Sequence, residues 1–274
     1  IAKIKKPLIW TLHDMWAFCG AEHYTNDYRW EEGYHIKNRP SYEFGPDINR
    51  WIWKHKLRCW KTPIQIIVPS QWLSDCVRKS ILMCNWPVKV IPNPLDVNLW
   101  KPLDKKIARE QLNLPIDRTL LLFGSAEGTK NSLKGFELLS GALKEIKKNS
   151  KIKELELIVF GESKQKSISN NGYLTHYVGY LNDDINLRAI YSAADAMIVP
   201  SRLEAFGQTA SEAQACGTPV VSFKIGGLKD IIKHKETGYL AKAFDVSDLA
   251  KGIEWVIENK NIEKLNDKAR NHII

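Results

Sequence analysis

The chain has 274 residues, a formal net charge of +9, and is 44% hydrophobic and 26% charged. This is an ordinary globular composition, and no apolar run reaches the roughly 20 residues that a bilayer-spanning helix needs. The positive charge suits an anionic partner, whether nucleic acid, an acidic membrane surface or a phosphorylated substrate. The five cysteines form no CxxC pair, which disfavours a zinc site or a disulfide framework and leads us to expect reduced thiols in the cytoplasm.

The first hundred residues contain three strand-like segments, PLIWTL (7–12), IQIIVPS (64–70) and VKVIPN (88–93). Three strands make a poor domain, so we expect residues upstream of this chain to complete the sheet. Between the first two segments, NRWIWKHKLRCW (49–60) interleaves aromatic and basic residues. The pattern predicts an amphipathic helix with its tryptophan face in the core, or alternatively a surface that binds bases or membrane headgroups.

The segment IPNPLDVNLWKP contains three prolines and is the best candidate for an interdomain hinge, which predicts domains at 1–93 and 94–274. Beyond it, short apolar segments alternate with helical ones. Such alternation predicts a parallel sheet covered by helices on both faces, a Rossmann-like unit with ligands at the carboxyl ends of its strands. The predicted strands are TLLLFG (119–124), ELIVFG (156–161), HYVGY (176–180), AMIVPS (196–201) and PVVSF (219–223).

A helix of small residues, predicted from Gln208 to Cys216, follows AMIVPS and begins at the ligand-binding edge of the sheet. Its free amides and dipole favour a phosphate, and Gly207 lets the backbone approach that anion. Glu204 and Glu212 flank this point and suit sugar hydroxyls, so the predicted ligand is a sugar nucleotide. The residues alone equally allow Glu204 to complement the helix dipole and Glu212 to be a surface residue.

The E-x7-E spacing of Glu204 and Glu212, followed by GTPVV and GG, resembles the signature of the retaining GT-B glycosyltransferases of group 1 (family four). The blocks TLHDMWAFCGAEHY, IIVPSQWLSD, VKVIPNPLD and LLFGSAEGTKNSLKGFELL are similar to that family in the same order. The resemblance implies an α/β, GT-B-like fold with two Rossmann-like domains and a cleft between them. The N-terminal, acceptor-side domain would be incomplete, and the C-terminal one would bind the donor.

The same resemblance implies site residues. Glu212 would bind the ribose, Glu204 the transferred sugar, and the amides near Phe206 and Gly207 the diphosphate. Lys134, in the KG pair, would neutralise that diphosphate. His13 would lie across the cleft near the reacting centre; it also follows the first strand, where a histidine bonded to Asp14 or to backbone is the alternative.

One departure from the family pattern concerns the residue just after the first donor-domain strand, which is commonly Arg or Lys and here is Ser125. Lys130, from a longer loop, would replace that charge. No DxD-like pair ends a strand, and Asp183-Asp184 reads as a helix cap, so we expect neither a metal nor another cofactor.

The implied reaction moves a sugar from a nucleoside-diphosphate sugar to an acceptor hydroxyl with retention of anomeric configuration. The expected setting is assembly of cell-surface polysaccharide, lipopolysaccharide or glycolipid in the cytoplasm, with a carbohydrate or lipid-linked acceptor, a peripheral membrane contact and no nucleic acid. The alternatives are a non-catalytic anion- or membrane-binding module that uses residues 50–60, an epimerase of the same architecture, and a dehydrogenase, for which no GxGxxG follows a strand.

Overall fold

The computed structural model describes residues 6–125, 128–149, 152, 154–163, 167–170, 172–259 and 264–274. The chain divides into two compact units, Ile1–Asn93 and Pro94–Ile274, called the first and second unit below. The division falls inside the proline-rich segment. No helix of the described ranges is long and apolar enough to cross a membrane.

The first unit has a three-stranded parallel sheet in the order β1-β2-β3. Each strand lies within one of the three segments predicted from sequence, although each is shorter than its segment. The strands are β1 Ile9–Thr11, β2 Gln65–Val68 and β3 Val88–Val90, and the helices are α1 Arg29–Glu32, α2 Ile48–Cys59 and α3 Gln71–Lys79.

Helix α2 contains most of the basic-aromatic segment. Asp47 caps its amino end, where the Asp47 side chain accepts a hydrogen bond from the Arg50 amide. Its buried residues are Trp53 and Lys56, whereas Trp51 is 68% exposed. The prediction of a core tryptophan face is therefore wrong for Trp51, because the helix turns Lys56 inward together with Trp53.

Lys56 ties α2 to the loop that follows β1. Its ammonium donates to the carbonyl oxygens of Trp16, Cys19 (3.1 Å) and Gly20 (2.7 Å), and lies 3.8 Å from the Trp16 ring centroid. Burial lowers the pKa of Lys56 from 10.5 to about 8. A buried cation thus supplies the donors that these loop carbonyls need.

The second unit has a seven-stranded sheet in the order β10-β9-β8-β4-β5-β7-β6, in which the pairing of β6 with β7 is antiparallel and the other pairings are parallel. The strands are β4 Thr119–Gly124, β5 Leu155–Phe160, β6 Ser167–Asn170, β7 Tyr173–Gly179, β8 Ala196–Val199, β9 Val220–Phe223 and β10 Gly238–Ala241. The helices are α4 Lys105–Gln111, α5 Phe136–Asn149, α6 Asp184–Ala193, α7 Gln208–Ala215, α8 Leu228–Ile231, α9 Val246–Asn259 and α10 Leu265–Ile273.

Two hydrophobic clusters cover the two faces of this sheet. The first contains Leu120, Leu122 and Met197 with α4, α6 and α7, and the second contains Leu121 and Ile198 with α5 and α9. Alternate residues of one strand thus enter opposite clusters, which is why the central strands read as continuous apolar runs. The predicted α/β layering is confirmed.

Candidate active site

A cavity of about 170 Å³ lies in the second unit where β4 and β8 end. Parallel α/β sheets bind ligands at this edge, because the loops there leave a crevice at the carboxyl ends of the strands. The first turn of α7 reaches the cavity through Thr209. The other lining residues are Phe123, Gly124, Ser125, Lys134, Ile198, Val199, Pro200 and Ser201.

Lys134 reaches this cavity because its segment packs tightly on the loop after β8. It ends a short 3-10 helix, Ser132–Lys134, and is followed by Gly135 with φ +69°. A Cβ on Gly135 would lie 2.1 Å from the Pro200 carbonyl oxygen, so a larger residue cannot replace it. The Arg202 amide donates to the Leu133 carbonyl (2.8 Å), which joins the two segments. The close approach of Gly135 to Pro200 explains why the KG pair has a glycine.

Glu204 forms an ion pair with Lys134. Its Oε2 lies 2.8 Å from the Lys134 Nζ and 3.4 Å from the Ser201 Oγ. Its carbonyl accepts the Gly227 amide at 2.9 Å, and a Cβ on Gly226 would lie 2.1 Å from that same oxygen. The GG pair of the sequence therefore fixes the backbone of Glu204. The structure also brings together Lys134 and Glu204, two predicted site residues that are 70 positions apart in the chain.

Gly207 precedes α7 with φ +104°, a left-handed conformation that favours glycine. A Cβ there would lie 2.7 Å from Leu228 Cδ2, so α8 also packs against this position. Its carbonyl accepts the amides of Ala210 and Ser211. Within the described part of the chain, the amides of Phe206, Gly207 and Thr209 have no hydrogen-bond partner. The start of α7 therefore has donors left for an anion.

Glu212 lies one turn inside α7 and is partly buried. It accepts hydrogen bonds from the Tyr191 hydroxyl (2.8 Å) and from the Gln208 side-chain amide (3.0 Å). Burial raises its pKa above the ordinary value. The surface-residue alternative is therefore wrong, although Glu212 is not among the residues that line the cavity.

Sequence reasoning missed both partners of Glu212. Gln208 was detectable, because it precedes Glu212 by four positions on the same helix. Tyr191 was not, since it comes from α6. Its ring is fully buried, with centroids 5.9 Å from Trp100 and 6.2 Å from Phe160.

Ser125 and Lys130 occupy different environments. Ser125 is buried, lines the cavity, and donates its hydroxyl hydrogen to the Gly128 carbonyl at 2.8 Å. Lys130 is exposed at the end of a short 3-10 helix, Gly128–Lys130, and does not line the cavity. Arg202, a further cation nearby, pairs with Glu137 at 2.7 Å. Of these cations, Lys134 is the one that lines the cavity.

His13 lies in the first unit, two residues after β1, with an exposed side chain. The suggestion that Asp14 bonds or orients the His13 imidazole is wrong. Asp14 instead lies 2.6 Å from the Nδ1 of His23 and accepts the Trp16 amide at 2.8 Å. The missed residue His23 is the second-last residue of the TLHDMWAFCGAEHY block, so that block contained the signal.

A larger cavity, of about 410 Å³, also lies in the first unit. Its walls include Pro7, Leu8 and Gln65, which lie at the start of β1 and β2 and therefore at the edge opposite to His13. Three tryptophans, Trp10, Trp60 and Trp86, give it an apolar character. In the parts of the chain that are described, no three His, Cys, Asp or Glu residues are grouped to hold a metal ion.

The chain is similar to several known proteins. A D-inositol 3-phosphate glycosyltransferase of Segniliparus rotundus is 32% identical over 167 residues, which are 57% of this chain and 36% of that protein. Sucrose-phosphate synthase from Thermosynechococcus elongatus superposes with a TM-score of 0.74 at 25% identity, covering 99% of this chain and 64% of that one. Anabaena HepE in complex with UDP-glucose superposes at 0.68 and 20% identity, covering 97% and 67%, and shows the fold alone.

The chain spans less than half the length of the curated relatives it matches. Its structural neighbours are GT-B glycosyltransferases, so the predicted fold class is confirmed. The family model described as glycosyl transferases group 1 matches residues 104–272. This match contains the cavity loop with Lys134, the Glu204 segment and α7, and it shows that the chain belongs to the group 1 glycosyltransferases.

Proposed function

We propose that the chain is part of a retaining glycosyltransferase whose second unit binds a nucleoside-diphosphate sugar. The observation that carries the proposal is a cavity lined by Lys134 and the start of α7, with Glu204 bonded to that Lys134. It offers an ammonium and unpaired amides to a diphosphate, and a carboxylate to the hydroxyls of a sugar.

In the proposed reaction, the bond between the anomeric carbon and the diphosphate breaks, and negative charge develops on the leaving group. Lys134 and the amino end of α7 stabilise that charge. The acceptor hydroxyl bonds to the anomeric carbon, and its proton passes to a leaving-group oxygen. His13, which the family resemblance assigns to the reacting centre, stays a prediction.

Glu212 is proposed to bind the ribose hydroxyls. Each of its carboxylate oxygens already accepts one protein hydrogen bond, and each has a second lone pair for a ribose hydroxyl. Donation from ribose favours the ionised carboxylate and opposes the effect of burial on its pKa. Ribose binding and ionisation of Glu212 therefore support each other.

The donor proposal is tested by calorimetry of the 274-residue chain with UDP, GDP, ADP and their glucose conjugates. HepE was solved with UDP-glucose, so the uridine pair is the first probe. We expect one saturable site. Glu212→Gln weakens nucleoside diphosphate binding, and the 2′,3′-dideoxyribose analogue binds wild type and variant equally. Absence of binding by all three nucleotides would contradict the proposal.

We further propose that the enzyme acts in cell-surface polysaccharide or glycolipid assembly on a carbohydrate or lipid-linked acceptor, with α2 contacting an anionic membrane. Helix α2 has no acidic residue, and Ile48, Trp51 and Leu57 are exposed on it. Exposed Phe44 precedes it. Basic residues beside exposed aromatic and aliphatic side chains are typical of an interfacial helix.

Vesicle co-sedimentation tests the membrane proposal. We expect the chain to bind vesicles that contain phosphatidylglycerol. This binding should weaken as salt is added and when Trp51 is changed to Ser. Tyr180→Ser is the matched control, because Tyr180 is an exposed aromatic residue of the second unit. Equal binding to neutral vesicles, or no effect of Trp51→Ser, would contradict a contact through α2.

A further inference from the structure

The ion pair between Lys134 and Glu204 joins two groups to which the proposed function gives different parts of the donor. Lys134 is assigned to the diphosphate and Glu204 to the sugar, yet here they bind each other. Resting on the proposed function, we propose that Glu204 pairs with the Lys134 ammonium at the cavity wall until a diphosphate displaces it, so that diphosphate binding releases the carboxylate that binds the sugar.

The contact has the geometry of a bound anion. The Glu204 Oε2 lies 2.8 Å from the Lys134 Nζ, and the side chains are 15% and 33% exposed, respectively. A carboxylate oxygen and a phosphate oxygen are both anionic acceptors and seek the same ammonium donors. An incoming phosphate therefore competes with Glu204 for Lys134.

A diphosphate has the advantage in this competition because it reaches more donors. Within the described ranges, the Glu204 carboxylate accepts hydrogen bonds from the Lys134 ammonium and the Ser201 hydroxyl. A diphosphate at Lys134 also has Thr209, in the first turn of α7, within the same cavity. Repulsion between like charges then drives the carboxylate away from the diphosphate.

The backbone is braced so that the side chains can exchange partners without moving the loops. Gly135 packs on the Pro200 carbonyl, Arg202 bonds to Leu133, and the carbonyl of Glu204 accepts the Gly227 amide. The exchange therefore needs only rotation of the Glu204 and Lys134 side chains, which takes picoseconds to nanoseconds at such partly exposed positions.

The exchange couples the two halves of the donor. When a free sugar arrives, Glu204 is still paired with Lys134. When a sugar arrives attached to a diphosphate, the diphosphate has released Glu204, whose carboxylate can then accept hydrogen bonds from the sugar hydroxyls. By thermodynamic linkage, each half of the donor strengthens the binding of the other. The site is thus selective for activated sugars.

Plain UDP provides the sharpest test, because it has no sugar for Glu204 to bind. We expect Glu204→Gln to bind UDP about threefold to tenfold more tightly than wild type in calorimetry, since the competing carboxylate is gone. If Glu204 instead binds only the sugar, Glu204→Gln should leave UDP affinity unchanged. Glu137→Gln is the matched control: Glu137 pairs with Arg202, whereas Glu204 pairs with Lys134, the cation that lines the cavity.

A double-mutant cycle with Lys134→Met completes the test. In that background we expect Glu204→Gln to lose most of its gain in UDP affinity, because the competition acts through the ammonium. The inference is overturned if Glu204→Gln binds UDP no more tightly than Glu137→Gln, or if the gain survives Lys134→Met. Failure of wild type to bind UDP, GDP or ADP is a separate result, and it overturns the proposed function together with this inference.

Discussion

Lys56 in the first unit and Lys134 in the second are both withdrawn from water, but they bind different partners. Lys56 is almost fully buried and donates to three neutral carbonyls beneath the Trp16 ring. Lys134 is a third exposed and pairs with one carboxylate on a cavity wall. The first lysine is enclosed by the loop that it holds, whereas the second has a partner that an anion can replace.

The pH dependence of stability should distinguish the two lysines most strongly. Between about pH 8 and pH 10.5 the unfolded chain keeps a proton on Lys56 that the folded chain has released. The contribution of Lys56 to the free energy of unfolding is therefore complete above about pH 10.5 and is lost as the pH falls through about 8. Its size is at most about 3 kcal/mol.

Urea unfolding followed by tryptophan fluorescence measures this slope. The signal reports mainly the first unit, because residues 1–93 contain all the tryptophans except Trp100 and Trp255. Burial raises the pKa of the Cys19 and Cys216 thiols in every chain and opposes this slope, so the quantity to compare is the difference from wild type. That difference should change between about pH 8 and pH 10.5 for Lys56→Met and stay constant for Lys134→Met. A slope that is the same in all three chains would show that Lys56 stays charged throughout.

Removal of the Lys56 ammonium should also destabilise the first unit at pH 7. We expect Lys56→Met to lower the free energy of unfolding by about 2 kcal/mol, because the carbonyls of Trp16, Cys19 and Gly20 lose their hydrogen-bond donor. This loss outweighs the gain from no longer burying a charged group. Lys134→Met should change stability by less than about 1 kcal/mol, as a partly exposed pair does. Equal losses in thermal or urea denaturation would remove the contrast between the two sites.

Nucleotide binding should reverse the order of the two lysines. Lys134→Met is expected to weaken UDP binding by at least about tenfold, because a charge-assisted contact with phosphate is lost. Lys56→Met, assayed at a temperature where it is folded, should leave UDP affinity unchanged. Calorimetry measures both, and an unchanged affinity in Lys134→Met would show that the diphosphate binds elsewhere.

The smallest effect is expected from Tyr191, which contacts Glu212 rather than the cavity. Tyr191→Phe keeps the buried ring and removes the hydroxyl that orients the carboxylate. We expect about threefold weaker UDP binding, corresponding to loss of one hydrogen bond. The pH at which UDP affinity falls on acidification should rise, since Glu212 loses a donor that favours its ionised form. Loss of affinity without this shift would indicate a purely structural role.

The central strands of the second unit were predictable because each is a short apolar run that ends in Gly or Pro-Ser. Helices α4 and α10 were missed, since KKIAREQ and LNDKARNHI are short and mostly polar. Strand β6 (SISN) was missed because it is a polar strand at the edge of the sheet. Apolar periodicity thus predicts the core of the sheet and fails for elements with little apolar surface.

The site residues were predicted individually, but their pairings were not. The spacing of Glu204 and Glu212 indicates one helix and the loop before it, which the structure contains. The Lys134–Glu204 and Tyr191–Glu212 contacts join different segments. Such contacts depend on tertiary packing, and a single sequence does not specify them locally.

The close approach of Gly135 to Pro200, and of Gly226 to Glu204, has a consequence for engineering donor preference. In both places one peptide carbonyl fills the space that a methyl group would need. A mutagenesis library aimed at new sugars can vary Ser201 and Thr209, which line the cavity, while those two glycines are held constant. Libraries that randomise the glycines will return mostly misfolded clones, whatever sugar is used for selection.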